Sequence, residues 1–129
     1  MKTIHTDVAP AAIGPYSQAI QINGLLFTSG QIPLDPATMQ IVGDSIESQT
    51  TQALANLDAI LKAGGSAREA VIKTTVFLKS MNDFARMNEI YSKFFGNHKP
   101  ARSCVEVARL PKDVLFEIEC IASRTVDVD

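Results

Sequence analysis

Residues 100–119 read PARSCVEVARLPKDVLFEIE. Two strand-like runs, Ser103–Ala108 and Leu115–Ala122, flank Arg109-Leu110-Pro111-Lys112-Asp113, where Pro111 and Asp113 are turn formers. The spacing predicts two strands folded back on each other. Successive side chains of a strand point to opposite faces. Val105 and Val107 then share one face of the first strand, and Arg102, Cys104 and Glu106 share the other. On the second strand Phe116, Ile118 and Cys120 form an apolar set, with Glu117 and Glu119 opposite. The expectation is one hairpin face carrying a guanidinium, a thiol and several carboxylates, which makes it the first candidate site. The same alternation sets Cys104 and Cys120 on opposite sides, against a disulfide.

Upstream, residues 2–6 read as a short edge strand, and Pro10 with Gly14-Pro15 makes 7–15 a shaped loop. Tyr16–Ile22 and Leu25–Ser29 flank Asn23-Gly24, a strong hairpin signal. Gln31–Gly43 carries two prolines and reads as a long loop. A first helix starts near Asp44 or Ser45, carries Ala53, Leu54, Leu57, Ile60 and Leu61 at helical spacing, and ends at Gly64-Gly65. After the connector 67–70, Val71–Lys79 reads as a strand with Ile72, Val76 and Leu78 on one face. Asn82 or Asp83 caps a second helix whose apolar stripe is Phe84, Met87, Ile90, Tyr91 and Phe94, stopped by Gly96 and Asn97. The acidic tail TVDVD reads as frayed. Two helices over one mixed sheet make an α+β layer. They cover one sheet face only, so the other is expected to pack against further copies of the chain.

At 129 residues and 46% apolar content, a single domain with a real core is expected. Twelve basic and fourteen acidic residues give a net charge of −2 with no basic run, which disfavours nucleic acid or an anionic membrane as partner. MKTIHTDVAP lacks the apolar region of a signal peptide, and no run is long enough to span a bilayer. Two cysteines without CxxC spacing fit a reduced, cytoplasmic protein. His5 and His98 lack metal-ligand spacing, so no metal site is expected, and no phosphate-loop or dinucleotide motif occurs.

GPYSQAI at 14–20, FTSGQIP at 27–33, MNDFARMNEIY at 81–91, PARSCVEVARLPKDV at 100–114 and EIECIA at 117–122 resemble the RidA/YjgF/UK114 family, which includes reactive-intermediate deaminases and proteins once labelled endoribonuclease L-PSP. The resemblance runs from about Thr3 to Ala122, nearly the whole chain, and implies one RidA/YjgF-like domain over 1–129. It implies a chorismate-mutase-like α+β fold and a homotrimer with a cleft at each subunit interface. It implies hydrolysis of 2-imino acids such as 2-iminobutanoate and 2-iminopropanoate to 2-oxo acids and ammonia, without a cofactor. Such imines arise from enamines released by dehydratases acting on threonine or serine. The family's substrate arginine falls on Arg102, its cysteine on Cys104 and its water-orienting glutamate on Glu117. Further contacts fall on Tyr16, Ser29, Gly30 and Asn88. The chain departs from many members at Asn97-His98-Lys99, a short basic loop that bears on side-chain preference.

Each residue also has a plainer reading. A guanidinium fork binds a planar carboxylate through two parallel hydrogen bonds; the plainer reading of Arg102 is a surface or interface ion pair with Glu106 or Glu119. Glu117 could orient a water and take its proton, or be a solvated strand carboxylate. Cys104 has no histidine base at hand, so a pocket-wall role is favoured over a nucleophile, with a small buried hydrophobe as the alternative. Tyr16, Ser29 and Gly30 could be ordinary hairpin packing, and Asn88 a helix-surface amide. A non-catalytic module binding a small carboxylate is the second class of function, and a ribonuclease the third.

Overall fold

The computed structural model describes residues 1–126. Its strands are β1 (Lys2–Ile4), β2 (Ala19–Ile22), β3 (Leu25–Thr28), β4 (Val71–Leu78), β5 (Ala101–Glu106) and β6 (Phe116–Ser123). The helices are α1 (Ile46–Ala63), between β3 and β4, and α2 (Phe84–Phe95), between β4 and β5. Asn23 and Gly24 take φ of 52° and 76° at the turn joining β2 to β3. For α1, the Ser45 hydroxyl accepts from the Ser48 N–H at 3.1 Å. Its predicted apolar stripe is fully buried. At its end Gly65, not Gly64, takes the left-handed conformation. Gly64 is required by space, since a Cβ there would come within 2.7 Å of Leu26.

The strand order is β1-β2-β3-β6-β4-β5. This corrects the hairpin expectation: β5 and β6 are not neighbours. The eight-residue, β-branched β4 lies between them, parallel to β5 and antiparallel to β6. Parallel neighbours need a crossover, and α2 supplies it. The nine residues 107–115 then step over β4, a distance of roughly 10 Å at ordinary strand spacing. The turn chemistry at Pro111 and Asp113 is real, with a short 3₁₀ helix at Pro111–Asp113, but the connection is wider than a hairpin.

Other expectations are adjusted locally. A register shift between Val71 and Lys73 puts Val71 in the core and leaves Ile72 on the surface, although alternation alone groups Ile72 with Val76. Neither Asn82 nor Asp83 caps α2 with its side chain; Ser80 caps a 3₁₀ turn at Met81–Asp83 that leads into it. Phe95, outside the predicted stripe, is buried beside Tyr91. Thr125 and Val126 bond through their N–H groups to the Gly65 carbonyl at 2.8 and 3.1 Å, so the start of the tail is tied down rather than frayed. The remainder of the tail expectation, on 127–129, lies outside the described residues.

Both helices cover one sheet face, where Leu26, Val76, Leu78, Phe116, Ile118 and Ala122 join the α1 stripe in the core. The opposite face keeps Phe27, Phe77, Val105 and Ile121 at least partly exposed, interleaved with Lys73, Thr75, Glu117 and Glu119. Among the described residues, no helix is long and apolar enough to cross a membrane.

Candidate active site

The register fixes which predicted residues can meet. Arg102 is paired with Thr74, and Thr74 with Cys120; Cys104 is paired with Val76, and Val76 with Ile118. Arg102, Cys104 and Glu106 therefore share the helix-covered face with Phe116, Ile118 and Cys120. Glu117 is paired with Phe77 on the open face. The expected single polar face does not form within one chain. The cysteines share a face, contrary to expectation, yet both are free. They lie two strands apart, roughly 10 Å, beyond the reach of a disulfide.

The first half of the site lies under α2. Arg102 Nη1 donates to Asn88 Oδ1 at 2.7 Å. The guanidinium carbon stands 4.7 Å from the Tyr91 ring centroid and 5.4 Å from that of Phe84. The Tyr91 hydroxyl is held at 2.7 Å from Thr74 Oγ1, which fixes the ring, and burial pushes this phenol's pKa up. Among the described residues Arg102 has no carboxylate partner, so the alternative ion pair with Glu106 or Glu119 does not form within one chain. Glu106 instead accepts from the Met81 N–H at 2.8 Å. The result is a half-buried cation held by an amide and two aromatic faces. It lines a cavity of about 440 Å³ with Asn88, Tyr91, Ser92, His98 and Lys99. Cys104 is not part of that lining. Burial raises its pKa and Arg102 only partly opposes this, so the thiol is neutral and suited to packing rather than attack.

The second half is a groove of about 730 Å³ lined by Tyr16, Ser29, Gly30 and Glu117, with Gln18, Gln31, Lys112 and Glu119 among its other walls. Gly30 is needed here for space: a Cβ would collide with Glu117 Oε2 and stand 2.9 Å from its Cδ. Burial first, then the neighbouring Glu119, raise the pKa of Glu117. That carboxyl takes and gives a proton nearer neutrality than an ordinary one. Ser29 Oγ donates to the Ser17 carbonyl at 2.5 Å, which leaves its lone pairs available as acceptors. Tyr16 is half exposed, its oxygen accepting from the Ile13 N–H at 3.4 Å.

Sequence reasoning missed Gln18. It is buried, accepts from the Thr6 N–H at 2.7 Å and donates to the Thr6 and Pro10 carbonyls at 3.0 and 2.8 Å. It thereby shapes the loop that walls the groove; its signal was a polar residue next to the first buried position of β2. Tyr91 and Phe84 were read only as core. Among the described residues, no group of three or more His, Cys, Asp or Glu side chains is placed to hold a metal ion.

Comparison with known proteins adds the family. A model of the endoribonuclease L-PSP family matches residues 6–124. The chain belongs to that family. It is 62% identical over 122 residues to a Lactococcus lactis protein named as a candidate regulator, AldR, covering 95% of this chain and 97% of that one. It is 53% identical over 126 residues to a Salmonella typhimurium protein named 2-iminobutanoate/2-iminopropanoate deaminase, covering 95% and 98%. The crystal structure of the Escherichia coli YjgF gene product superposes with a TM-score of 0.92 at 50% identity, covering 97% of this chain and 100% of that one. The sequence resemblance to the RidA/YjgF family is thus shown, and with it the mixed-sheet α+β architecture of this family.

Proposed function

We propose that this protein hydrolyses small 2-imino acids to 2-oxo acids and ammonia, at sites completed between copies of the chain. The carrying observation is the division of the candidate residues. A carboxylate-free guanidinium lies on one sheet face, and a desolvated carboxyl on the other. Each has the chemistry the other lacks. The relative named as an imine deaminase supports the choice of substrate.

In this reading Arg102 of one copy grips the substrate carboxylate through a forked pair of hydrogen bonds. Asn88 and the Tyr91 ring hold the fork, so the imine carbon is presented in a fixed pose. Glu117 of the neighbouring copy orients a water and takes its proton as the oxygen bonds to C2. The C=N electron pair moves to nitrogen, and Glu117 passes the water's proton to it, giving the carbinolamine. In the collapse Glu117 takes the carbinolamine hydroxyl proton as the oxygen forms the C=O bond, the C–N bond breaks, and Glu117 hands that proton to the departing nitrogen so that ammonia leaves. Water is consumed, the 2-oxo acid remains, and Glu117 ends as it began. Ser29 and the Gly30 backbone position the water or imine, Tyr16 covers the aliphatic tail, and Cys104 packs behind Arg102. No cofactor or metal takes part. The half-apolar open face fits a homotrimer in which sheets pack together in a chorismate-mutase-like arrangement, and two free thiols fit the reducing cytoplasm.

The test generates 2-iminobutanoate in situ with a threonine dehydratase and follows its decay. Added protein should speed decay well beyond the spontaneous rate, and Arg102→Ala or Glu117→Gln should each remove at least about a hundredfold of that acceleration. Decay unchanged by the wild-type protein ends this reading. A second reading, a regulator that binds a small carboxylate without turnover, draws on the relative named as a candidate regulator. Under it Glu117→Gln would leave 2-oxobutanoate binding intact and there would be no turnover to lose.

A further inference from the structure

The cavity that holds Arg102 carries more positive charge than one carboxylate needs. Its cationic lining residues are Arg102 and Lys99, and no carboxylate lines it. Among the described residues Lys99, like Arg102, has no acidic partner. Three of the last four carbonyls of α2, which would otherwise oppose an anion, are occupied. Those of Ser92, Phe94 and Phe95 accept from Gly96 N, Arg68 Nη1 and His98 N at 2.9, 2.9 and 3.2 Å. The short loop bearing Lys99 is pinned at two points. His98 Nε2 lies 2.6 Å from the Val71 carbonyl, and its ring stands edge-on to Phe95. Lys99 is therefore presented at the cavity from an anchored backbone. The volume, about 440 Å³, falls in the range of sites that take drug-sized ligands, and exceeds what a three- or four-carbon acid fills.

We infer that Lys99 is a specificity-determining residue that extends the site to dicarboxylic 2-imino and 2-oxo acids, its ammonium pairing with the distal carboxylate while Arg102 holds the proximal one. The inference rests on the proposed role of Arg102 and names a substrate class for that same site. Lys99 is exposed, so its contribution is that of a solvent-screened ion pair, about two- to fivefold in affinity, and it weakens with salt.

The probes are 2-oxoglutarate and 2-oxopentanoate, five-carbon acids that differ in a terminal carboxylate against a terminal methyl. Their dissociation constants are measured by calorimetry on the intact protein. The corresponding imines, generated in situ from glutamate and norvaline by an amino-acid oxidase, are compared by kcat/KM. The wild type should favour the dicarboxylate in both. Lys99→Met, which keeps the stem and removes the charge, should abolish that preference, and Lys99→Arg should restore it. Equal affinity for the two acids in the wild type, or a preference that survives Lys99→Met, overturns the inference, as does failure to bind either acid. Discrimination in binding without any hydrolysis of 2-iminobutanoate would leave the inference standing and refute the deaminase reading instead.

Discussion

The two halves of the candidate site solve opposite problems. On β5, an edge strand, the Arg102 charge is made tolerable by an amide and two aromatic faces while its carboxylate-binding capacity stays open. On β6, an inner strand, Glu117 is left without a cation among the described residues, and its charged form is disfavoured by burial and by Glu119. A cation kept free of anions and a carboxyl whose pKa is raised by burial are what the proposed site for an anionic electrophile and a water uses. They lie on opposite faces of one sheet, so the proposed hydrolysis requires chains that pack against each other.

The largest expected effect breaks the Glu117 half alone. Gly30→Ala forces the carboxylate to move, and a displacement of about 1 Å costs on the order of a hundredfold in rate. Kinetics on 2-iminobutanoate should show kcat falling, with melting little changed because the groove is open to solvent. Next comes the Arg102 half. Tyr91→Leu removes the ring beneath the guanidinium and should raise KM by about two- to thirtyfold with a smaller effect on kcat, as loss of a cation–π contact implies. Tyr91→Phe keeps the ring and should keep KM. It costs about 1–3 kcal/mol of stability in a denaturant titration, because the fully buried Thr74 hydroxyl loses its partner. The smallest effect sharpens the contrast in pH. With its folded pKa raised by burial and by Glu119, Glu117 protonates at a higher pH than an ordinary glutamate as pH falls, and base catalysis is lost there. Glu119→Gln removes the lesser of the two causes. The acid limb of kcat/KM should move to lower pH while the plateau holds; movement to higher pH would contradict this assignment.

Much of the architecture was legible in the sequence because its signals are local. Asn23-Gly24, the Ser45 cap and the α1 stripe each act through residues close in the chain, and the order of elements follows from them. What was not legible is which strands lie side by side. Alternation relates residues within a strand, but only register relates one strand to another. The insertion of β4 between β5 and β6 therefore left the alternation within each strand intact while reversing the conclusion that Glu117 shares a face with Arg102 and Cys104. Ile72 illustrates the same limit at one residue, since a single register shift moves it from the predicted core to solvent. Gln18, and the packing of Glu117 against Gly30, were hidden for another reason: they depend on contacts between residues well separated in sequence. The resemblance singled out Arg102, Cys104 and Glu117, and the register showed that one chain does not bring Arg102 and Glu117 together.

The most direct measurement mixes two inactive variants. Arg102→Ala and Glu117→Gln are unfolded together, refolded at equal concentration, and assayed for 2-iminobutanoate hydrolysis, with mixed oligomers verified by native mass spectrometry. If each site takes its arginine from one copy and its glutamate from the next, random assembly restores roughly a quarter of wild-type activity. A mixture that forms mixed oligomers yet stays as inactive as its parents would show that both residues act within one chain, and would contradict the divided site.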